Sequence, residues 1–214
     1  MPRAPILLLH GILDTPDVWR DVAARLNGAG RQVLLDTSAD GKDHSPQAQA
    51  ARARERIPAG GAHLVGHSRG ATAASWIAVE HPEHARSLTI VASPPHASEV
   101  FRAAFRKRLE RAPPPERSAL EYLATIPEDD FPQHALRRYR GRALVVEYED
   151  DPLYSPTQTM FWRMFLPYAD FERVPGGHRA FAEDASAAEW LAGRIATHVE
   201  RAEDEGAASE EHSS

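Results

Sequence analysis

The chain has 214 residues and a mass of 23.6 kDa, enough for one domain built around a single sizeable core. Apolar residues make up 42% and charged residues 26%, which excludes wholesale disorder, and the absence of cysteine excludes disulfides, Cys-ligated metal or iron–sulfur sites and a cysteine nucleophile. With 25 basic and 31 acidic side chains the formal charge is −6, which excludes the basic footprint of a nucleic-acid binder.

In chain order, the first apolar run is Ile6–Leu9, four residues that meet His10-Gly11 at once. It is too short for a signal peptide and far short of the roughly 20 apolar residues of a membrane helix, so a cytoplasmic protein with no membrane association is expected. The run reads instead as a buried strand. Five more strands are predicted at Val33–Asp36, Ala62–Gly66, Leu88–Ala92, Ala143–Tyr148 and Phe171–Val174, each short, apolar and bounded by Gly, Pro or Asp. Helical segments fall between and after them at Pro16–Leu26, Gln47–Arg56, Arg69–Glu80, Pro156–Phe165 and Ala185–Ala202. Thr15 is placed to cap the first of these, with Pro16 at its first position. This alternation predicts an α/β domain: a mostly parallel central sheet of about six strands with helices on both faces, spanning residues 1–202.

Residues 94–141 break the alternation with a helix-rich insertion interrupted by Pro113-Pro114-Pro115. Phe101, Phe105 and Leu109 recur at a spacing of four and form one apolar stripe. An insertion of this length in an α/β domain is expected to be a cap over the active site, with Phe101 and Phe105 as candidate substrate contacts. The acidic, small-residue segment 203–214 is expected to be a disordered tail.

The chemistry concentrates at Gly66-His67-Ser68-Arg69-Gly70, a G-x-S-x-G placed directly after a predicted strand and directly before a predicted helix. The turn needed there is too sharp for side chains at the flanking positions, hence the two glycines. It lifts the Ser68 hydroxyl clear of the sheet, with the following helix starting beneath the developing oxyanion.

On these residues the chain resembles the α/β-hydrolases, in particular the small cap-bearing esterases, thioesterases and a menaquinone-pathway lyase. The resemblance runs from Pro5 to about residue 200. Ile6 to Gly11 resembles the family's strand followed by an HG loop, implying oxyanion donors at the backbone N–H of Ile12 or Leu13, with a second from Arg69. Asp36 through Gly41 to Ser45 resembles a degraded D-x-x-G-x-G-x-S loop. Val145 to Pro152 resembles the strand whose end bears the triad acid, and Val174-Pro175-Gly176-Gly177-His178 the loop that carries the triad histidine. The resemblance therefore implies a triad of Ser68, Asp151 and His178, in the chain order this fold uses, with Asp150 the alternative acid. The chain begins at what would be the family's third strand, which is why about six strands are expected.

The other histidines carry weaker signals. His63 and His67 are four apart but straddle a strand and a turn, and His81 and His84 flank a helix end, so neither pair reads as a metal site and no metal or other cofactor is implied. His10 reads as a support for the oxyanion-loop backbone. Arg69 stands where relatives usually carry Met, Leu or Gln, and its guanidinium either meets an anionic group of the substrate or is neutralised by the protein. Residues 101–142 hold ten cations and six acids, a local +4 that is either a draw for anionic substrates or a solvated helix face. The leading expectation is a serine hydrolase of a small-molecule ester or thioester working through an acyl-enzyme. The alternatives are a lyase or cyclase that uses the same triad for proton abstraction on a carboxylated substrate, and a non-catalytic binding module.

Overall fold

The computed structural model describes residues 3–37, 43–153 and 156–211. Six strands form one wholly parallel sheet: β1 (Ile6–Leu9), β2 (Val33–Leu35), β3 (Ala62–His67), β4 (Ala85–Val91), β5 (Arg142–Tyr148) and β6 (Asp170–Val174), in the order β2-β1-β3-β4-β5-β6. Each predicted strand is present within three residues of its expected bounds. The strand order reverses between β2 and β3, so β1 and β3 lie side by side and their C-terminal loops meet at a switch point where this architecture gathers its chemistry.

Successive residues along a strand face opposite sides. Ile6 and Leu8 therefore pack with α1 (Arg20–Gly28) and α9 (Ala185–Glu211) on one face. Leu7 and Leu9 pack with α2 (Pro46–Arg54), α3 (Arg69–Glu80) and α7 (Pro156–Phe165) on the other. Trp19, fully buried, plugs the first of these layers near the C-terminal end of β3.

The insertion folds as α4 (Glu99–Leu109), α5 (Pro114–Thr125) and the short α6 (Gln133–Leu136). The Ser98 hydroxyl caps α4 by accepting from the Phe101 N–H at 3.1 Å, and Pro114 opens α5, where a missing N–H costs nothing. The stripe of Phe101, Phe105 and Leu109 points into a third apolar cluster with Leu120, Leu123, Ile126 and Phe131, which also receives Ile12 and Leu13 from the loop after β1.

Two local expectations are corrected. Thr15 occupies the cap position of a 3-10 turn over Pro16–Trp19, but its side chain makes no capping hydrogen bond. The segment expected to be disordered from residue 203 is instead helical to Glu211. Two of its acids have cationic partners: the Arg31 guanidinium, buried before β2, donates to both Glu203 carboxylate oxygens at 2.9 and 2.8 Å, and Glu205 pairs with Arg142. A final connecting helix, α8 (Ala180–Glu183), lies between β6 and α9. The degraded loop anticipated between Asp36 and Ser45 includes residues 38–42, which lie outside the described residues. At its ends, Asp36 accepts from the Gln49 amide at 2.8 Å and Ser45 caps α2 through the Ala48 N–H at 3.2 Å. Among the described residues no helix is long and apolar enough to cross a membrane.

Candidate active site

Strand β3 runs straight into α3 through Ser68, whose backbone sits at φ 52° and ψ −125°, a conformation a non-glycine residue adopts only under constraint. The constraint is visible on both sides. A Cβ on Gly66 would overlap the backbone of Gly70 and Ala71, and one on Gly70 would overlap the carbonyls of Leu9 and His10, so both flanking glycines are sterically required. The Ser68 N–H is held by the Val91 carbonyl at 2.9 Å, which pins the turn to the end of β4.

The loops after β5 and β6 bring in the acid and the imidazole. His178 Nδ1 lies 2.7 Å from Asp151 Oδ2, while Asp151 Oδ1 accepts from the Leu153 N–H at 2.9 Å. A carboxylate only accepts, so Nδ1 carries the hydrogen and Nε2 is left as the basic nitrogen. Asp151 is 4% exposed, whereas Asp150 is exposed and only its backbone N–H joins the site, donating to the Gly176 carbonyl at 3.0 Å. Of the two candidate acids the structure puts Asp151 on the histidine.

After β1 the chain turns tightly, with the Asp14 N–H on the Gly11 carbonyl at 3.3 Å and Leu13 in the left-handed region at φ 66°. His10 supports this loop: its Nδ1 donates to the Gly11 carbonyl at 2.8 Å, and its own carbonyl accepts from the Gln49 amide at 3.1 Å. Ile12 and Leu13 thus lie between the turn at Ser68 and the cap.

Ser68, Arg69, Thr72 and Ser93 form the floor of a cavity of about 20 Å³, roofed by Phe101, Leu123, Ile126 and Phe131 of the cap. Phe101 therefore meets the site directly. Phe105 lies behind it, ring to ring at 4.8 Å, and does not line the cavity. The Arg69 side chain is buried, and its Nη1 donates to the His44 carbonyl at 3.0 Å. Four of the ten cations in residues 101–142 pair with acids of the cap helices and their connections. Arg102 bonds Glu128 and the Ile126 carbonyl, Arg106 pairs with Glu99, Arg108 with Glu116 and Arg117 with Glu121.

Beside the site stand His67, weighed from the sequence only as a metal ligand, and Asp14 and Arg179, which the sequence did not single out. His67 is buried, with Nε2 at 2.9 Å from the His178 carbonyl and Nδ1 at 3.3 Å from Asp14 Oδ2. Arg179 reaches Asp14 Oδ1 at 3.3 Å. Burial pushes the His67 pKa down, with the Asp14 carboxylate pulling against it. Burial acts to raise Asp14, but the hydrogen bond and charge of His67 and the charges of Arg179 and His178 outweigh it and hold the carboxyl below its ordinary range. Nothing local in the sequence marks these residues as partners, because 53 positions separate Asp14 from His67 (67 minus 14).

Residues 4–111 match the family model of the alpha/beta hydrolase fold, and the chain belongs to that family. It is 31% identical over 186 residues to a putative carbamate hydrolase, RutD, of Azorhizobium caulinodans, covering 79% of this chain and 68% of that one. It is also 31% identical over 108 residues to a triacylglycerol lipase of Pseudomonas fragi, but that match spans only 37% of the lipase and 46% of this chain. Solved structures agree on the fold at lower identity. A carboxylesterase of the thaumarchaeon Nitrososphaera gargenis superposes with a TM-score of 0.73 at 16% identity, covering 94% of this chain and 92% of that one. A thioesterase domain from the curacin biosynthetic pathway gives 0.68 at 18% identity, covering 91% of each.

Proposed function

We propose that the protein is a serine hydrolase of small-molecule esters or thioesters, working through an acyl-enzyme on Ser68. The observation that carries this reading is the 2.7 Å bond from His178 Nδ1 to Asp151, which leaves the opposite imidazole nitrogen basic, on a ring 4.7 Å from that of His67, the residue before the strained turn at Ser68. Ser68 is a weak nucleophile at neutral pH and needs that base. As its Oγ bonds to the substrate carbonyl carbon, its proton passes to His178 Nε2, and Asp151 stabilises the resulting imidazolium. The negative charge moves to the carbonyl oxygen, which is met by the backbone N–H of Arg69 and by that of Ile12 or Leu13. Collapse breaks the ester or thioester bond, and the leaving alcohol or thiol takes the proton from His178. Water then repeats the sequence on the acyl-enzyme, giving its proton to His178 and releasing the acid and free Ser68.

The relatives support carbonyl–heteroatom cleavage: one is named for a carbamate, the others for esters and thioesters. The cavity sets a further condition. At about 20 Å³ it has room for one water, so substrate enters only when the cap helices α4 and α5 shift outward from Ser68. Its apolar roof favours a hydrocarbon acyl group, and among the described residues Arg69, with its guanidinium on the His44 carbonyl, is the only charged side chain in the lining. An anionic acyl group is thus the narrower case, decided by comparing neutral with carboxylated acyl chains.

The test is intact-mass analysis after treatment with a compact fluorophosphonate, together with hydrolysis of p-nitrophenyl acetate. One adduct on Ser68, lost in Ser68→Ala and slowed severely in His178→Ala, is the expected result. A folded wild-type protein that neither forms the adduct nor hydrolyses the ester would overturn the reading.

A further inference from the structure

His178 is gripped twice, and only one grip is part of the triad. Its side chain is held by Asp151, while its backbone carbonyl is held by His67 Nε2 at 2.9 Å. A carbonyl can only accept, so His67 Nε2 carries a hydrogen, and His67 Nδ1 lies 3.3 Å from Asp14 Oδ2, an ion-pair contact that becomes a donated hydrogen bond when the ring is protonated. The other Asp14 oxygen is paired with Arg179, the residue directly after His178. The chain of contacts is therefore closed: Arg179 to Asp14, Asp14 to His67, His67 back to the carbonyl of His178.

Aromatic side chains pack around this ring of contacts. His67 lies 5.0 Å from the Phe181 ring and 6.4 Å from Trp19, both edge-on, and 4.7 Å from the imidazole of His178. A Cβ added at Gly11 would stand 2.9 Å from Asp14 Oδ2, 3.1 Å from His67 Nδ1 and 3.1 Å from the Ser68 Cβ, so the three side chains converge on the glycine of the oxyanion loop. The ring thus joins three separate catalytic loops: the turn after β1, the residue preceding the nucleophile and the loop after β6.

We propose that Asp14 and His67 are positioning residues for catalysis, fixing through the His178 carbonyl where the loop after β6 presents its imidazole to Ser68. The inference rests on the hydrolase reading for its kinetic consequences, though not for the contacts themselves. Misplacing a catalytic group by about 1 Å costs up to about 10²-fold in rate, so loosening this loop acts on kcat. KM, set by the cavity and cap, stays near its wild-type value.

The experiment compares Asp14→Ala, Asp14→Asn, His67→Phe and Arg179→Ala with the wild type. Each variant is first shown to be folded by its urea midpoint. Asp14→Ala and His67→Phe are expected to lower kcat about tenfold or more with KM changed less than about twofold, and Arg179→Ala, which removes the outermost contact, to lower kcat by about threefold. Asp14→Asn is expected to recover most of the lost rate, because its amide can donate to Nδ1 of a neutral His67 and hold the ring in place. A purely structural role predicts no such rescue at equal stability. A second readout needs no turnover: the Nδ1–H of His178 on Asp151 is a downfield proton resonance whose exchange with water should quicken in Asp14→Ala and His67→Phe. Wild-type kcat and wild-type proton exchange in both variants would overturn the proposal while leaving the hydrolase reading intact. A wild-type protein without turnover or labelling would overturn the hydrolase reading, and the exchange measurement would still decide whether Asp14 and His67 position the imidazole. Should His67→Phe fail to fold, Asp14→Ala and its Asn rescue decide alone.

Discussion

At Ser68 the backbone is bent where an L-residue resists bending, and the strain persists because the Gly66 and Gly70 positions leave the chain no wider path. The G-x-S-x-G spacing announced this in the sequence, since both glycines and the serine are local to one turn. The choice between Asp150 and Asp151 was not local in that sense. Both stand at the end of β5, and what separates them is which side chain the β6 loop meets when it folds over. Asp151 is buried on His178 at 2.7 Å, and Asp150 faces solvent. The two therefore differ in their expected response to removal of the charge. Asp151→Asn should lower kcat by about 10³- to 10⁴-fold, because a neutral amide neither fixes the tautomer nor stabilises the imidazolium. Asp150→Asn should leave kcat within about twofold of the wild type, as expected of a solvated carboxylate outside the triad. Steady-state kinetics on one chromogenic ester checks both, and equal losses in the two variants would refute the assignment of Asp151.

At the scale of elements, strand positions were legible because buried parallel strands are short apolar runs between Gly, Pro or Asp, and that pattern needs no knowledge of partners. The cap stripe was legible for the same reason, as a spacing of four on one helix. The end of α9 was not. Residues 203–211 look like a solvated acidic tail until Arg31 is placed opposite them, and Arg31 lies 172 positions from Glu203. The Arg31 side chain is 1% exposed, with Glu203 and Glu200 as its carboxylate partners. Removing the nearer partner leaves a buried guanidinium with only the longer 3.4 Å contact to Glu200. Breaking a buried pair costs about 3–5 kcal/mol, and since Glu203 is itself 26% exposed the cost of Glu203→Ala should be nearer 1–3 kcal/mol. Truncation after Ala202 should cost at least as much, since it also removes Glu205 from Arg142. Urea unfolding followed by far-UV circular dichroism measures both. A truncated protein as stable as the full chain would mean that the last turns of α9 contribute nothing.

Over the whole molecule the sheet separates two polar clusters. The C-terminal ends of the strands carry Ser68, Asp151 and His178, as expected of an open parallel sheet. The N-terminal ends carry a second group, in which His63 on β3 faces Glu203, Arg31 and Arg86 and bonds Ser87, while His198 on α9 faces Arg142, Asp170 and His63. Burial pushes both imidazoles down to about 4, against the partial pull of Glu203 on His63 and of Asp170 on His198. Both are therefore neutral in the folded protein at neutral pH. A histidine with a depressed folded pKa binds its proton more readily once unfolded, so its contribution is complete above the ordinary value of 6.5 and is lost as pH falls from there toward 4. His67 shifts in the same direction, whereas the lowered Asp14 acts in a separate window, below its ordinary value of 3.8. Each of His63 and His198 should remove on the order of 2 kcal/mol of stability by about pH 4, an amount large beside the total for a domain of this size. The urea midpoint should therefore be level from pH 8 to 7 and fall steadily between pH 6.5 and 4.5, before the carboxylates titrate. Replacing His63 by Asn and His198 by Gln should flatten that slope while leaving the Ser68 end of the sheet untouched. A wild-type midpoint that stays constant down to pH 5 would show that the two imidazoles find water or a proton in the folded state, and that α9 does not seal this end of the sheet.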